Sequence, residues 1–292
     1  MTGRGRGAVP VAGAVIAGMG LAVQARLNGE LGSRVGDGIA ATLASTVVGL
    51  VLLLLVVPLS PTGRRGLRLM RTAVRAGDLR WWHLAGGSAI GGLVVDRFVI
   101  GPGGRRPVTV ARAAGAAVCV VAVAVAGHGA WGGSGTVLVV LPVLAGAAVA
   151  VQSALNGRLG VIAGSPWPAT LVNFAVAATS LAGVLTVRAV SSWGSPGRLP
   201  AEPLLYLAGV IGVGVIAVAT ITVRHIGVLV FGLASVAGQL LGAVVLDAFT
   251  PGRGPSVATF ASIAITFLAL ALALATHSRF RRAERRYAPP ES

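Results

Sequence analysis

Charge is scarce in this sequence, and most of it has one sign. Only 11% of the 292 residues are charged, with 8 acids against 24 basic residues. A soluble domain of this size carries roughly 25% charged residues to cover its surface, so a soluble fold is excluded. Lysine is absent, and every basic residue is arginine. Cysteine occurs once, as Cys119 inside an apolar run, which excludes a disulfide framework and a thiolate metal site. The five Trp and two Tyr lie mostly near the ends of apolar runs, as interfacial anchors rather than an aromatic cage for a cation. No HExxH, paired-acid or phosphate-loop pattern occurs. The chain is therefore not expected to be an enzyme, and no cofactor or metal is expected.

Apolar residues are in excess. They make up 55% of the chain, and the mean hydropathy is +0.85. A helix needs roughly 20 apolar residues to cross the hydrocarbon core. Eight stretches come close without a charge near their middle: 8–25, 39–59, 108–126, 136–155, 169–187, 204–223, 226–246 and 257–275. A ninth, 84–95 (LAGGSAIGGLVV), has only twelve apolar residues before Asp96-Arg97 and carries two Gly-Gly pairs. That length suits a re-entrant or tilted segment, here bounded at 84–100. The expected fold is an all-α polytopic membrane helix bundle of eight full spans, or nine if the short segment crosses.

Arginine distribution sets the expected orientation, because cytoplasmic loops collect basic residues. If 84–95 does not cross and the N-terminus is inside, nineteen arginines lie inside and five outside. If it crosses, the tally becomes 11 against 13. The first arrangement is preferred, with both termini cytoplasmic. A net charge of +16 and a pI near 12.0 are then explained by the anionic bilayer face rather than by nucleic acid. Anionic lipid is the expected partner of the Arg-rich loops and of the 279–292 tail. The all-arginine, Ala/Val/Gly-rich composition suggests a GC-rich bacterial genome and hence a bacterial plasma membrane.

The first span follows Arg4 and Arg6 and ends in small residues, as a signal peptide would. A second copy of its sequence argues against cleavage. Displaced by 128 positions, AGMGLAVQARLNGELGSRVG falls on AGAAVAVQSALNGRLGVIAG without a gap, and fifteen of twenty-nine positions from Val15 to Leu43 are identical. Composition explains some matches but not Gln24/Gln152 or Asn28/Asn156, so the halves are duplicates. The units are 1–127 and 128–278, the first shortened around 84–100. Three full spans precede the second copy, so it is expected to insert upside down. Inverted repeats of this kind are the usual architecture of secondary transporters.

The twice-used AxQxxLNxxLG, with VRHIGVLVFGLASVAGQLLGAVVLD at 223–247, resembles the YdcZ-type family of the drug/metabolite transporter superfamily. The resemblance covers nearly the whole chain, as two fused units. It implies a small-molecule transporter, an exporter, distantly akin to the small multidrug resistance exporters. The first unit has no counterpart of Arg224-His225-Ile226-Gly227 or of Gly238-Gln239.

Candidate substrate-binding or gating residues are Gln24, Asn28, Gln152, Asn156, Asn173 and Gln239. Gln24 and Asn28 are four apart and share a helix face, as do Gln152 and Asn156. In the inverted reading the first pair lies near the outer face and the second near the inner one, so equivalent polar sites could seal each side in turn. The competing reading is that each Asn-Gly ends its helix through a left-handed cap. Asn173 and Gln239 are either interhelical glue or ligand contacts. Asp96 and Asp247 occupy matching repeat positions and are either interfacial anchors or coupling-ion sites. Arg224-His225 reads as a topology determinant. WGGSG at 131–135, near His128, contains a serine-protease-like string but lacks a histidine in another span.

The functional expectation is a secondary transporter of a small solute, acting alone or as a homodimer by alternating access between two inverted units. The alternative is a non-transporting membrane subunit or scaffold.

Overall fold

The computed structural model describes residues 5–79, 149, 151–190, 196–250 and 260–271, apart from 262 and 269. Among them there is helix and no strand. The first two helices are α1 (Gly5–Val35) and α2 (Gly38–Leu59), followed by α3 (Pro61–Arg75). The second half opens with α4, helical over 151–163, and continues with α5 (Pro166–Val190). A short 3-10 turn, Pro203–Tyr206, leads into α6 (Leu207–Ala248), and a last helix, α7, is described over 260–271. The expected spans 108–126 and 84–95, and most of 136–155, lie outside the described residues.

Among the described residues, four helical stretches are long and apolar enough to cross a membrane: Ala8–Val35, Gly38–Leu59, Pro166–Val190 and Pro203–Ala248. The last holds two of the expected spans. Gly227 interrupts it with φ 81° and ψ 164°, a conformation that glycine adopts without steric cost. The two limbs on either side then run in opposite directions along α1. Gly13 faces Thr222 and Val218 while Gly20 faces Val215 and Ile211, so the first limb is antiparallel to α1. Gly238 meets Val15 and Gly242 meets Met19 and Ala22, while Arg26 reaches Asp247, so the second limb is parallel. Arg224 and His225 sit exposed at this reversal.

The duplicated sequence builds two equivalent helical hairpins. In the first, α1 ends at Gly36 (φ 70°), and Asp37 caps α2 by accepting from the backbone N–H groups of Ile39 and Ala40 at 2.9 and 3.1 Å. In the second, α4 ends at Gly164 (φ 63°), Ser165 Oγ accepts from the Trp167 N–H at 3.4 Å, and α5 begins at Pro166. Turn glycine, cap residue and helix start all keep the 128-residue offset. The capping expectation for Asn28-Gly29 and Asn156-Gly157 is therefore corrected. Both pairs lie inside continuous helix, and the left-handed turns fall eight residues later, where no Cβ is needed.

The hairpins pack through α2 and α5, which are antiparallel. Asp37 at the start of α2 meets Arg188 near the end of α5, Gly49 faces the Phe174 ring, and Val57 clusters with Phe174 and Leu171. The Gly36 turn thus sits beside the C-terminal end of α5. The Gly164 turn sits at the far end, against α3, where Gly66 faces Ala163 and Pro168. With 22 residues in α2, the two turns are about 30 Å apart. Ser60 accepts from the Gly63 N–H at 3.0 Å, and this cap with Pro61 in the first turn starts α3.

Few large side chains hold these crossings. A Cβ on Gly18 would fall on the Ser235 carbonyl, one on Gly238 on the Val15 carbonyl, and one on Gly209 on the Ser45 carbonyl. Without a hydrophobic drive between helices in lipid, such close approach supplies the packing energy. Val51, Leu54 and Leu55 face outward instead, as lipid contact allows. Gly18→Ala and Gly238→Ala should each lower the unfolding temperature of detergent-purified protein. Gly29→Ala, where a Cβ meets nothing within 4 Å, should leave it unchanged or raise it through better helix propensity.

Candidate functional site

Helix is continuous through Asn28 to Val35. Gln24 lies 11 residues before the end of α1, about 16 Å along the axis, and not in the last turn. Gln24 instead reaches Gly212 on the first limb of α6. A Cβ on Gly212 would lie 2.7 Å from Gln24 Nε2 and 3.2 Å from the tip of the Phe174 ring. The absence of a side chain there lets an amide of the first unit approach an aromatic ring of the second.

Next to Phe174, Asn173 is the hub of the second unit's polar group. Its Oδ1 accepts from Gln152 Nε2 at 2.8 Å and from Asn156 Nδ2 at 3.2 Å. Asn156 is 1% exposed and Asn173 4%. The repeat counterpart of Asn173 is Ser45, also buried, whose hydroxyl donates to its own helix at the Thr42 carbonyl, 3.1 Å away. Serine is too short to hold Gln24 and Asn28 as Asn173 holds their counterparts. Two buried carbonyl oxygens, Asn28 Oδ1 and Asn156 Oδ1, have no hydrogen-bond partner. Gln24 thus meets Gly212 beside the Phe174 ring, while Gln152, Asn156 and Asn173 form a second, hydrogen-bonded group centred on the residue before Phe174. Sequence analysis missed Ser45 and Phe174, although the 128-residue offset from Asn173 points to Ser45, and it read Gly212, with Gly209 and Gly214, as a helix-packing glycine.

Gln239 and Asp247 lie elsewhere. They line a cavity of about 420 Å³ between α1, the second limb of α6 and α7, with Arg26, Thr266 and a wall of Ala22, Ala25, Leu240 and Ala243. Asp247 Oδ1 is 3.5 Å from Arg26 Nη1, and Arg26 also donates to Thr250 Oγ1 at 2.8 Å. Both charged side chains are more than a third exposed. Asp96, Cys119 and the WGGSG string lie outside the described residues. Among the described residues no group of three His, Cys, Asp or Glu could hold a metal ion.

Charge divides the molecule by end. Of the four ion pairs among the described residues, Arg26–Asp247 lies about 14 Å along α1 from the Gly36 turn, and three lie at that end: Arg34–Glu30, Arg34–Glu202 and Arg188–Asp37. The two hairpins are joined by the last, with 2.9 Å between Arg188 Nη1 and Asp37 Oδ2. At the Gly164 end, Arg64, Arg65, Arg68, Arg71 and Arg75 of α3 are exposed and make no ion pair. Arg64 donates to the Pro58 and Leu59 carbonyls at 3.2 and 3.1 Å, where the α2 dipole favours a cation.

The Asp37 carboxyl titrates below its ordinary 3.8, first because the Ala40 N–H donates to it. The Ile39 N–H and the Arg188 guanidinium act in the same direction, against the opposing effect of partial burial. A lowered carboxylate pKa contributes stability that is present at neutral pH and lost as pH falls through the folded-state value. The unfolding temperature should therefore hold down to about pH 4 and fall below it. Asp37→Asn should lower the neutral-pH value and flatten that acid limb, and Arg188→Gln should do so in part.

Comparison with known proteins gives one match. The family model described as "Putative inner membrane exporter, YdcZ" matches residues 9–91 and 137–274, well over half of the chain and in both units. No curated protein and no solved structure matches it.

Proposed function

Because the chain belongs to the YdcZ family of inner-membrane exporters, within the drug/metabolite transporters and not among enzymes, we propose that it is a secondary transporter working by alternating access. The carrying observation is the contact of the two units at Gly212, where Gln24 of the first meets Phe174 of the second, next in the chain to the hydrogen-bonded amides of Asn173, Gln152 and Asn156, and we take these amides together as the core. Transporters built from inverted repeats bind at the repeat interface near mid-depth and rock one unit against the other.

Inversion is supported by the antiparallel α2/α5 pair and by the turns at Gly36 and Gly164 at its opposite ends. Orientation is supported by charge. The arginine-rich, acid-poor end holding α3 and Arg224 suits the cytoplasm, and the end where arginines are neutralised suits the outside. Both termini are then cytoplasmic. The Asp37–Arg188 pair latches the outer end. Its repeat counterpart is Ser165 with Ser60, two uncharged residues, so the inner end has no equivalent ionic latch and is covered by α3 instead. Asp247, paired to Arg26, acts as an anchor, and coupling would have to come through other groups.

Two measurements test this reading. After removal of Cys119, single cysteines at Ser33 and Val161 should be labelled from opposite sides of inside-out vesicles, and labelling from one side overturns the inversion. In proteoliposomes the wild type should move a small solute from a metabolite panel. Asn173→Ala should reduce that flux at least about tenfold by freeing Gln152 and Asn156 from their shared acceptor. A stoichiometric co-purifying membrane protein with no flux from the chain alone would favour the scaffold role.

A further inference from the structure

We propose that the amide core takes an uncharged solute bearing hydroxyl or amide N–H donors; this rests on the exporter reading and names its substrate class. Buried carbonyl oxygens without a donor are rare in native proteins, because each has given up water and gained nothing. Here two occur at repeat-equivalent positions, Asn28 Oδ1 and Asn156 Oδ1. Asn156 is 1% exposed, and its Nδ2 is already committed to Asn173. Asn173 Oδ1 accepts twice. The open valences of the core are therefore acceptors, and a ligand completes them by donating.

Charge selects further. No acid lies between Asp96 and Glu202, so the undescribed part of that stretch brings no carboxylate to the core. The nearest ionisable residues along α1 and α4 are Arg26 and Arg158, each two positions from the core asparagines or glutamines and so turned to another face. Arg26 is spent on Asp247 and Thr250. Among the described residues, a cationic solute entering this core would lose its hydration with no counter-charge to meet it. An anion would meet carbonyl oxygens, which repel it. Amides both accept from and donate to hydroxyl and amide groups, and the Phe174 ring supplies an apolar wall.

The test uses full-length protein in nanodiscs and three probes on one skeleton: xylitol, its carboxylate analogue xylonate and its amine analogue 1-amino-1-deoxyxylitol. A second neutral probe, xylonamide, adds an amide. At least one neutral probe should raise the unfolding temperature saturably, binding on the order of tenfold or more tightly than either charged analogue. Asn156→Leu should abolish that response. Asn156→Asp, which keeps the shape but adds a negative charge, should transfer the preference to the amine. Equal or tighter binding of a charged analogue by the wild type, or no response to either neutral probe, overturns the assignment. Saturable neutral binding without flux in proteoliposomes would defeat the exporter reading and leave this one standing. Flux of a charged solute only would do the reverse.

Discussion

Everything in this molecule depends on backbones touching. Lipid offers helices no hydrophobic reason to associate, since their side chains are as content in acyl tails as against one another. Attraction must come from dispersion at short range, and only residues without a side chain allow that range. Gly18 on α1 rests on the Ser235 carbonyl, Gly238 on the second limb of α6 rests on Val15, and Gly209 on the first limb rests on Ser45. Through these contacts α1 is held against the second limb of α6, and the first limb against α2. Gly227 permits the reversal that makes two limbs from one helical stretch.

That close packing brings polar groups together in an otherwise apolar bundle. Gly212 leaves room for the Gln24 amide and the Phe174 ring, and Phe174 is the chain neighbour of Asn173, hub of the second unit's hydrogen bonds. The two units are no longer equivalent at this point. Where the second has Asn173, the first has Ser45, which turns back to its own helix. Duplication supplied the same amides twice, and one later difference tied one set together while leaving the other unanchored.

The same asymmetry marks the two ends. Asp37, an N-cap, also receives Arg188 from the other hairpin, so one residue joins the capping of α2 to the closure of one end. Its counterpart Ser165 only caps. The opposite end is covered by α3, whose Gly63 and Gly66 settle onto α2 and the Gly164 turn while its arginines stay exposed. Identical ancestral hairpins have thus been finished with charge pairs at one end and an amphipathic helix at the other.

Much of this was legible in the sequence. Low charge and long apolar runs dictated a helical membrane bundle, because only helices or closed barrels satisfy the backbone in lipid. The 128-residue repeat revealed the duplication, and the AxQxxLNxxLG motif pointed to the family. The amides Gln24, Asn28, Gln152, Asn156 and Asn173 stood out as polar residues in or beside apolar spans. What sequence could not fix was helix length and partnership. Hydropathy ends the first span at residue 25, yet α1 persists to Val35, since helix continues wherever its own hydrogen bonds are made and no turn intervenes. Asn-Gly looks like a helix end from local preference alone, but tertiary packing kept both pairs helical and placed the turns at Gly36 and Gly164. That Asn173 should bind Gln152, that Gln239 should line a separate cavity with Asp247, and that Arg188 should reach Asp37 are long-range contacts. Only the three-dimensional crossing of helices decides them, because each joins residues that no local pattern relates.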